Sequence, residues 1–468
     1  MKKLFYMVAL SSLTLLSCSK FLEIDLPNDK QTSESVFSSN ETAQAATVGI
    51  YARSMRFGNS YFNGITTIST GLLAGEILPK NLVADNMTPY LYNDMRSDLS
   101  NVSLLWAAPY EIIYHCNLVI EKLVQSDAVS ADLKQRLIAE AKFFRALHYF
   151  YLINVYGEVP LALTSDYQTN AILPKSKASE VYAAIINDLE QAEQNLSDDY
   201  YSAERIRANK WAAKALLARV HLYLENWTEA ERYAREVIGH TSQYKLAANA
   251  NDAFLNSNNE AIFQLSTANN NTVNCYDGSI FLYVNNTKNP DYYIREGLLD
   301  VLTLDPKDER KNWALAQTAT DGTTYHLLNK YKVRAGVANA KKIEHLTLLR
   351  LGEQYLILAE ALAHQSGKLI EAVENIDIIR VRAKVDPLKA PGVTYTQDQV
   401  LDMVMDERQK ELCFELGHRW FDLNRTGRAA AYFATFPEKN WQPTDRFFPI
   451  PAEEVLDNPF LKQNPGYQ

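Results

Sequence analysis

Apolar side chains recur at intervals of three and four along most of this chain, and that spacing constrains the fold more than any other feature of the sequence. Trp106, Tyr110, Ile113, Leu118 and Ile120 follow it, as do Val181, Ile185, Leu189, Ala192 and Leu196. A period of 3.6 gathers such residues on one helix face, which must then be covered by another helix. The clearest pair runs over 208–238: Trp211 to Leu224, a break at Asn226, then Thr228 to Ile238. Leu217 and Ala218 precede Ala230 by about a dozen residues and Trp227 sits in the turn, as in a degenerate tetratricopeptide repeat. Ala359, Gly367, Ala372, Ile376 and Ile379 mark a second pair, in which small residues let two helices approach closely. Segments 41–55 with 104–124 and 133–155 with 178–196 supply two more, so the expected fold is mostly α with four tetratricopeptide-like helix pairs. Thr396-x-x-Gln399 reads as a capping box that opens a helix over 397–415, with Leu401, Met405, Leu412 and Leu416 on its apolar face.

Two long inserts, 56–103 and 266–345, lack this period. They hold Gly and Pro in number together with Tyr61, Phe62, Tyr90, Tyr92, Tyr276, Phe281, Tyr283, Tyr292, Tyr293, Trp313 and Tyr325. Long irregular segments in a helical protein are functional or disordered, and this density of rings argues against disorder. The chain holds 27 Tyr against 18 Phe and 6 Trp, so most of its rings carry a polar tip suited to half-wet surfaces. A tyrosine face can stack on the C–H face of a pyranose while neighbouring polar groups bond its hydroxyls, and the same surface would serve a peptide. The candidate stacking rings are Tyr90, Tyr92, Tyr283, Tyr292, Tyr293 and Trp313, with Asp94, Arg96 and Asn285 as hydrogen-bonding neighbours. Tyr292 and Tyr293 lead the set, because the turn Asn289-Pro290-Asp291 precedes them and a helix is expected from Ile294. Any one of these rings could instead pin its loop to the scaffold.

Lys2 and Lys3 precede an apolar run from Leu4 to Leu16 that stops at Ser17-Cys18. This is a secretory signal over 1–17, and Leu15-Leu16-Ser17-Cys18 resembles a bacterial lipobox whose Cys18 is acylated. Residues 18–40 then form the lipidated cysteine and a tether, and 41–468 a single domain. The protein is expected to be anchored to a membrane rather than embedded in it.

The net charge of −9 repels a nucleic-acid backbone, and no nucleic-acid partner is expected. HExxH, GxSxG, P-loop and GxGxxG patterns are absent and the eight His are scattered, so the sequence offers no catalytic residue, metal site or cofactor motif. Asp305, Asp308 and Glu309 lack EF-hand spacing and read as a solvated acidic turn. Cys116, Cys275 and Cys413 have no CxxC spacing; Cys116 and Cys413 fall in helical patterns as buried thiols. Helical spacing aligns Arg408 with Glu411 and Glu415 with Arg419, which reads as a structural ion network.

Several segments together resemble the SusD-like (SusD/RagB) family of nutrient-binding outer-membrane lipoproteins of Bacteroidetes. They are Glu140–Leu152 with Tyr156-Gly157-Glu158-Val159-Pro160-Leu161, Leu216–Tyr223, Ala359-Glu360-Ala361, and Arg380-Val381-Arg382-Ala383. The C-terminal third adds Glu407-Arg408, Glu411–Glu415, Arg419–Leu423, Phe448-Pro449-Ile450-Pro451 and Gln463–Tyr467. The resemblance implies a right-handed superhelical scaffold decorated by loops, an outer-membrane lipoprotein facing the cell surface, and a ligand-capturing lid that is not an enzyme. It implies partnership with a TonB-dependent transporter of the SusC type, and an oligosaccharide more often than a peptide as ligand. The shared motifs carry no binding residue over to this chain.

Overall fold

The computed structural model describes residues 33–56, 60–80, 86–256, 258–267, 274–282, 290–320, 322–334 and 343–467. Cys18, Tyr283 and Asn285 lie outside these residues. Helices form the frame: α1 (Asn40–Ser54), α2 (Ser100–Gln125), α3 (Ala131–Tyr156), α4 (Ala178–Asn195), α5 (Lys210–Tyr223), α6 (Trp227–Gly239), α7 (Leu351–Ala363), α8 (Leu369–Arg382), α9 (Gln397–Leu412) and α10 (His418–Arg425). Packing follows chain order, α1 on α2, α2 on α3, α3 on α4, and so on through α5, α6, α7 and α8, with α9 closing over α7 and α8. Among the described residues no helix is long and apolar enough to cross a membrane.

The periodic apolar residues explain this order. Val181, Ile185, Leu189 and Ala192 of α4 are all buried, with Asp188 beside them, while the other residues of that helix are exposed or half-buried. From Leu137 to Tyr156 α3 is buried almost all round, because α1, α2 and α4 enclose it. Burial on that scale brings charges inside, and the buried arginines are paired. Arg145 donates to both carboxylate oxygens of Asp188 on α4 at 2.7 and 2.8 Å and to Asn117 Oδ1 on α2 at 2.8 Å. One guanidinium thus clasps three helices. Arg219 of α5 holds Glu353 of α7 through two bonds of 2.6 Å, and Arg425 of α10 holds Glu360 of α7 at 2.6 and 2.7 Å.

The capping box forms as expected, with Thr396 Oγ1 accepting from Gln399 N at 3.3 Å and Gln399 Oε1 accepting from Thr396 N at 2.9 Å. The helix it opens ends at Leu412, short of the expected Glu415. Phe414, Leu416 and Gly417 have φ of 62°, 47° and 90°, and this left-handed turn points Glu415 back into the interior.

Among the described residues six short strands form three antiparallel pairs: β1 (Ile77–Pro79) with β3 (Tyr292–Ile294), β2 (Ala261–Leu265) with β6 (Leu346–Arg350), and β4 (Ala314–Thr318) with β5 (Thr324–Leu328). Four of the six lie in the two inserts.

Candidate ligand-binding site

The two inserts meet. β1 of the first pairs with β3 of the second in the register Ile77↔Ile294, Leu78↔Tyr293, Pro79↔Tyr292. Lys80 N extends the pairing to Asp291 O at 2.9 Å, and Arg295 N closes its other end on Glu76 O at 2.9 Å. Alternation along the ribbon sends successive side chains to opposite faces. Tyr292 turns inward, 8% exposed, and meets Phe281 edge-on with ring centres 6.5 Å apart. Tyr293 turns to the half-open face, where its ring lies 5.0 Å from that of Tyr325 on β5 at an interplanar angle of 63°. The ammonium of Lys80 sits 4.3 Å from the centre of the Tyr325 ring and also donates to its hydroxyl. Leu315, Ala319 and Leu327 support the two rings as a small apolar cluster separate from the main core.

The other nominated residues lie elsewhere. Tyr90 and Trp313 require correction: both are fully buried and have no face to offer a ligand. Tyr90 packs edge-on against Phe448, and burial pushes its phenol pKa upward. Trp313 lies 4.0 Å beneath the ammonium of Lys330. Tyr92 is half-buried and its carbonyl accepts from Asn440 N at 2.8 Å. Asp94 and Arg96 are exposed, and Arg96 pairs with Asp98 at 3.0 Å. That stretch therefore borders the C-terminal segment, and of the nominated rings among the described residues only Tyr293 reaches the Tyr325–Lys80 cluster. Ile294 begins no helix; it ends a strand, and the helix starts at Glu296. Tyr325 and Lys80 were missed, although Asp321-Gly322 between two alternating runs is a hairpin signal that would have placed Tyr325 on a strand.

An ion network fixes the second insert to the scaffold. Arg310 bonds Asp308 at 2.9 Å, Glu407 at 2.5 Å and Glu411 at 3.2 Å. Lys330 donates to Glu411 O at 2.8 Å and to Glu415 Oε1 at 2.7 Å. Arg350 reaches Glu260 at 2.9 Å, Glu411 at 2.6 Å and Glu415 at 2.8 Å, and Arg382 joins Glu260 and Glu411. Burial raises the pKa of Glu415, yet Arg350 and Lys330 overcome it and hold the carboxyl below the usual range. The expected helical pairs are replaced: Arg408 bonds Asp422 at 2.7 Å, and Arg419 lies over the Tyr432 ring at 4.7 Å. Asp308 is no solvated turn residue, since it is buried and spent on Arg310. Among the described residues no group of three His, Cys, Asp or Glu could hold a metal ion.

Beneath the ribbon, burial raises the Glu76 carboxyl to about 7, with Arg419 opposing the shift. Apart from both inserts, a cavity of about 680 Å³ opens in the scaffold between Tyr182, Tyr223, Arg425 and Phe447. Gly157 lines it with φ of 72°, and a Cβ there would stand 3.0 Å from the Phe447 ring.

Two family models match this chain: one described as "Starch-binding associating with outer membrane" over residues 20–222, and one described as "SusD family" over 303–467. The chain belongs to the SusD family. It is 25% identical to the SusD-like protein P25 of Formosa agariphila, an alignment covering 97% of each chain. A SusD superfamily protein of Bacteroides vulgatus superposes with a TM-score of 0.79 at 21% identity, covering 92% of this chain and 99% of that one. The surface glycan-binding protein A of Bacteroides thetaiotaomicron, solved in complex with laminarihexaose, superposes with a TM-score of 0.76 at 21% identity, covering 91% and 99%. The charges in the segments that carry the SusD likeness, among them Arg145, Arg219, Glu360, Arg382, Glu411 and Asp422, are the clasps described above. They hold the fold.

Proposed function

We propose that this SusD-family chain captures a nutrient oligosaccharide at the cell surface and delivers it to a TonB-dependent outer-membrane transporter of the SusC type. The observation that carries the reading is the cluster at which the inserts join. Tyr293 and Tyr325 form a corner of two rings, and Lys80 brings an ammonium whose donors can bond sugar hydroxyls. Such a corner binds without activating a nucleophile or positioning an acid and a base, so the role is capture rather than catalysis. The laminarihexaose complex of a protein of the same fold supports an oligosaccharide as the ligand class. Acylated Cys18 would keep the protein at the outer membrane and close to the transporter.

Titration calorimetry against panels of oligosaccharides and peptides tests the reading. Saturable oligosaccharide binding that weakens in Tyr293→Ala supports it. Peptide binding without oligosaccharide binding would put peptide capture by the same fold in its place, and release of shortened sugars would make the protein a glycoside hydrolase.

A further inference from the structure

The cavity between Tyr182, Tyr223 and Phe447 has no part in the site at the inserts, and its charges set it apart from the rest of the scaffold. Arg425 follows the pattern of the interior arginines: it holds Glu360 at 2.6 and 2.7 Å and Asp422 Oδ1 at 2.9 Å. Lys175, Arg446, Glu158 and Glu225 line the same cavity, and none of these four makes an ion pair among the described residues. Lys175 Nζ donates to Asn464 Oδ1 at 2.8 Å, and Asn464 is pinned in turn by its own bonds to Tyr156 O at 2.7 Å and Phe448 O at 2.8 Å. An ammonium has three donors, so this bond fixes Lys175 without using it up. The Arg446 guanidinium lies 4.6 Å over the Phe447 ring, and its fork of donors makes no hydrogen bond among the described residues.

A smaller cavity of about 250 Å³ shares Tyr223, Glu225 and Arg425 with the first, so Glu225 stands at their common wall, while Lys175 and Arg446 line only the larger. Burial lowers the pKa of Lys175 and the nearby Glu158 opposes it, which leaves Glu225 as the carboxylate open to a ligand cation. A volume of about 680 Å³ is that of a small-molecule site. A ligand of one sign would meet two side chains of its own sign. A neutral ligand would cover charges and give none of them a counter-charge, at a cost in desolvation. A ligand that carries both signs answers the cations and the carboxylate together. The rings of Tyr182, Tyr223 and Phe447 offer their faces to an apolar body between its two ends.

We propose that this cavity binds a short peptide with free termini, its carboxylate on Lys175 and Arg446 and its ammonium on Glu225. The site is separate from the junction of the inserts, goes beyond oligosaccharide capture there and does not depend on it.

Titration calorimetry on the full-length protein tests this with the tripeptide alanyl-phenylalanyl-alanine in three forms: both termini free, the amino end acetylated, and the carboxyl end amidated. The free peptide is expected to bind, and each blocked form to bind several-fold more weakly. Arg446→Gln should weaken the free and acetylated peptides several-fold and leave the amide as it was. Glu225→Gln should weaken the free and amidated peptides and leave the acetylated one as it was. Both side chains are exposed, so neither change should disturb the fold. Tyr293→Ala should leave every peptide affinity in place. Equal binding of the three forms, or binding of none, overturns the proposal. Peptide affinity lost in Tyr293→Ala and kept in Arg446→Gln puts the peptide at the inserts, and displacement of the free peptide by cellotriose makes the cavity a sugar subsite; either result overturns it as well.

Discussion

Arg350 reaches Glu411 at 2.6 Å, and both side chains are withdrawn from water. The pair joins the end of β6 to α9, and the same carboxylate also receives Arg382 and Arg310. Removing one member of such a network strands the others, at a cost of about 3–5 kcal/mol. Glu411→Gln should therefore lower the urea midpoint markedly, while ligand affinity, measured where the variant is still folded, stays near that of the parent. Arg419→Ala should be milder, because Arg419 is half-buried and stacks on Tyr432 outside the network. A Glu411→Gln protein of full stability that no longer binds ligand would reverse this assignment.

Glu76 and Asp277 contribute stability that falls as pH rises from 4.5 towards 7, while burial holds the imidazoles of His148 and His418 below their ordinary pKa and gives a contribution of the opposite sign. Burial, partly offset by Arg419, keeps Glu76 protonated in the folded protein up to about 7, and burial does the same for Asp277 against its bond to Thr67. The unfolded chain releases these protons near 4.5 and 3.8, so across this window it binds fewer protons than the native state. A tenfold difference in proton affinity between the folded and unfolded states corresponds to about 1.4 kcal/mol. Denaturant unfolding between pH 4.5 and 7.5 should give a more positive slope of stability against pH in Glu76→Gln than in the parent. An unchanged slope in that variant would remove Glu76 from the account.

Gly157→Ala should cost about 1–3 kcal/mol, because φ of 72° suits glycine and the added methyl meets Phe447. Phe447→Ala in the same chain should relieve the contact but leave the backbone strain. A thermal double-mutant cycle measures both parts, and full recovery in the double variant would show that strain plays no part.

The helices were legible because half-buried helices expose a stripe: Val181, Ile185, Leu189 and Ala192 mark one face of α4 and are buried as their spacing requires. The helix Ile65–Leu73 inside the first insert was not, since all nine of its residues are buried and no period survives. Local spacing placed Arg408 beside Glu411 and Glu415 beside Arg419, but interior charges choose partners by tertiary distance, and Asp422, Arg350 and Lys330 stand closer. At the candidate site the turn before Tyr292 was readable, whereas the strand after it depends on a partner some two hundred residues away in β1. That pairing, invisible to local pattern, separates Tyr293 from Tyr292.

Cys18→Ala should yield soluble or unprocessed protein. Metabolic labelling with a radioactive fatty acid checks this, and label that persists in the variant would remove the anchor from Cys18.

Tyr90→Ala and Trp313→Ala should behave as core truncations, losing about 3–5 kcal/mol. Calorimetric melting measures the loss. A variant of either that melts normally and has lost ligand affinity would return that ring to the binding surface.

The most direct test of the account is oligosaccharide affinity in Tyr293→Ala and Tyr325→Ala, singly and together, by titration calorimetry on protein that melts normally. Aromatic stacking contributes about 0.5–1.5 kcal/mol per pair. Each single substitution is predicted to weaken binding several-fold, and the double one to abolish weak binding. Unchanged affinity in the folded double variant would contradict the account and place the ligand away from the junction of the two inserts.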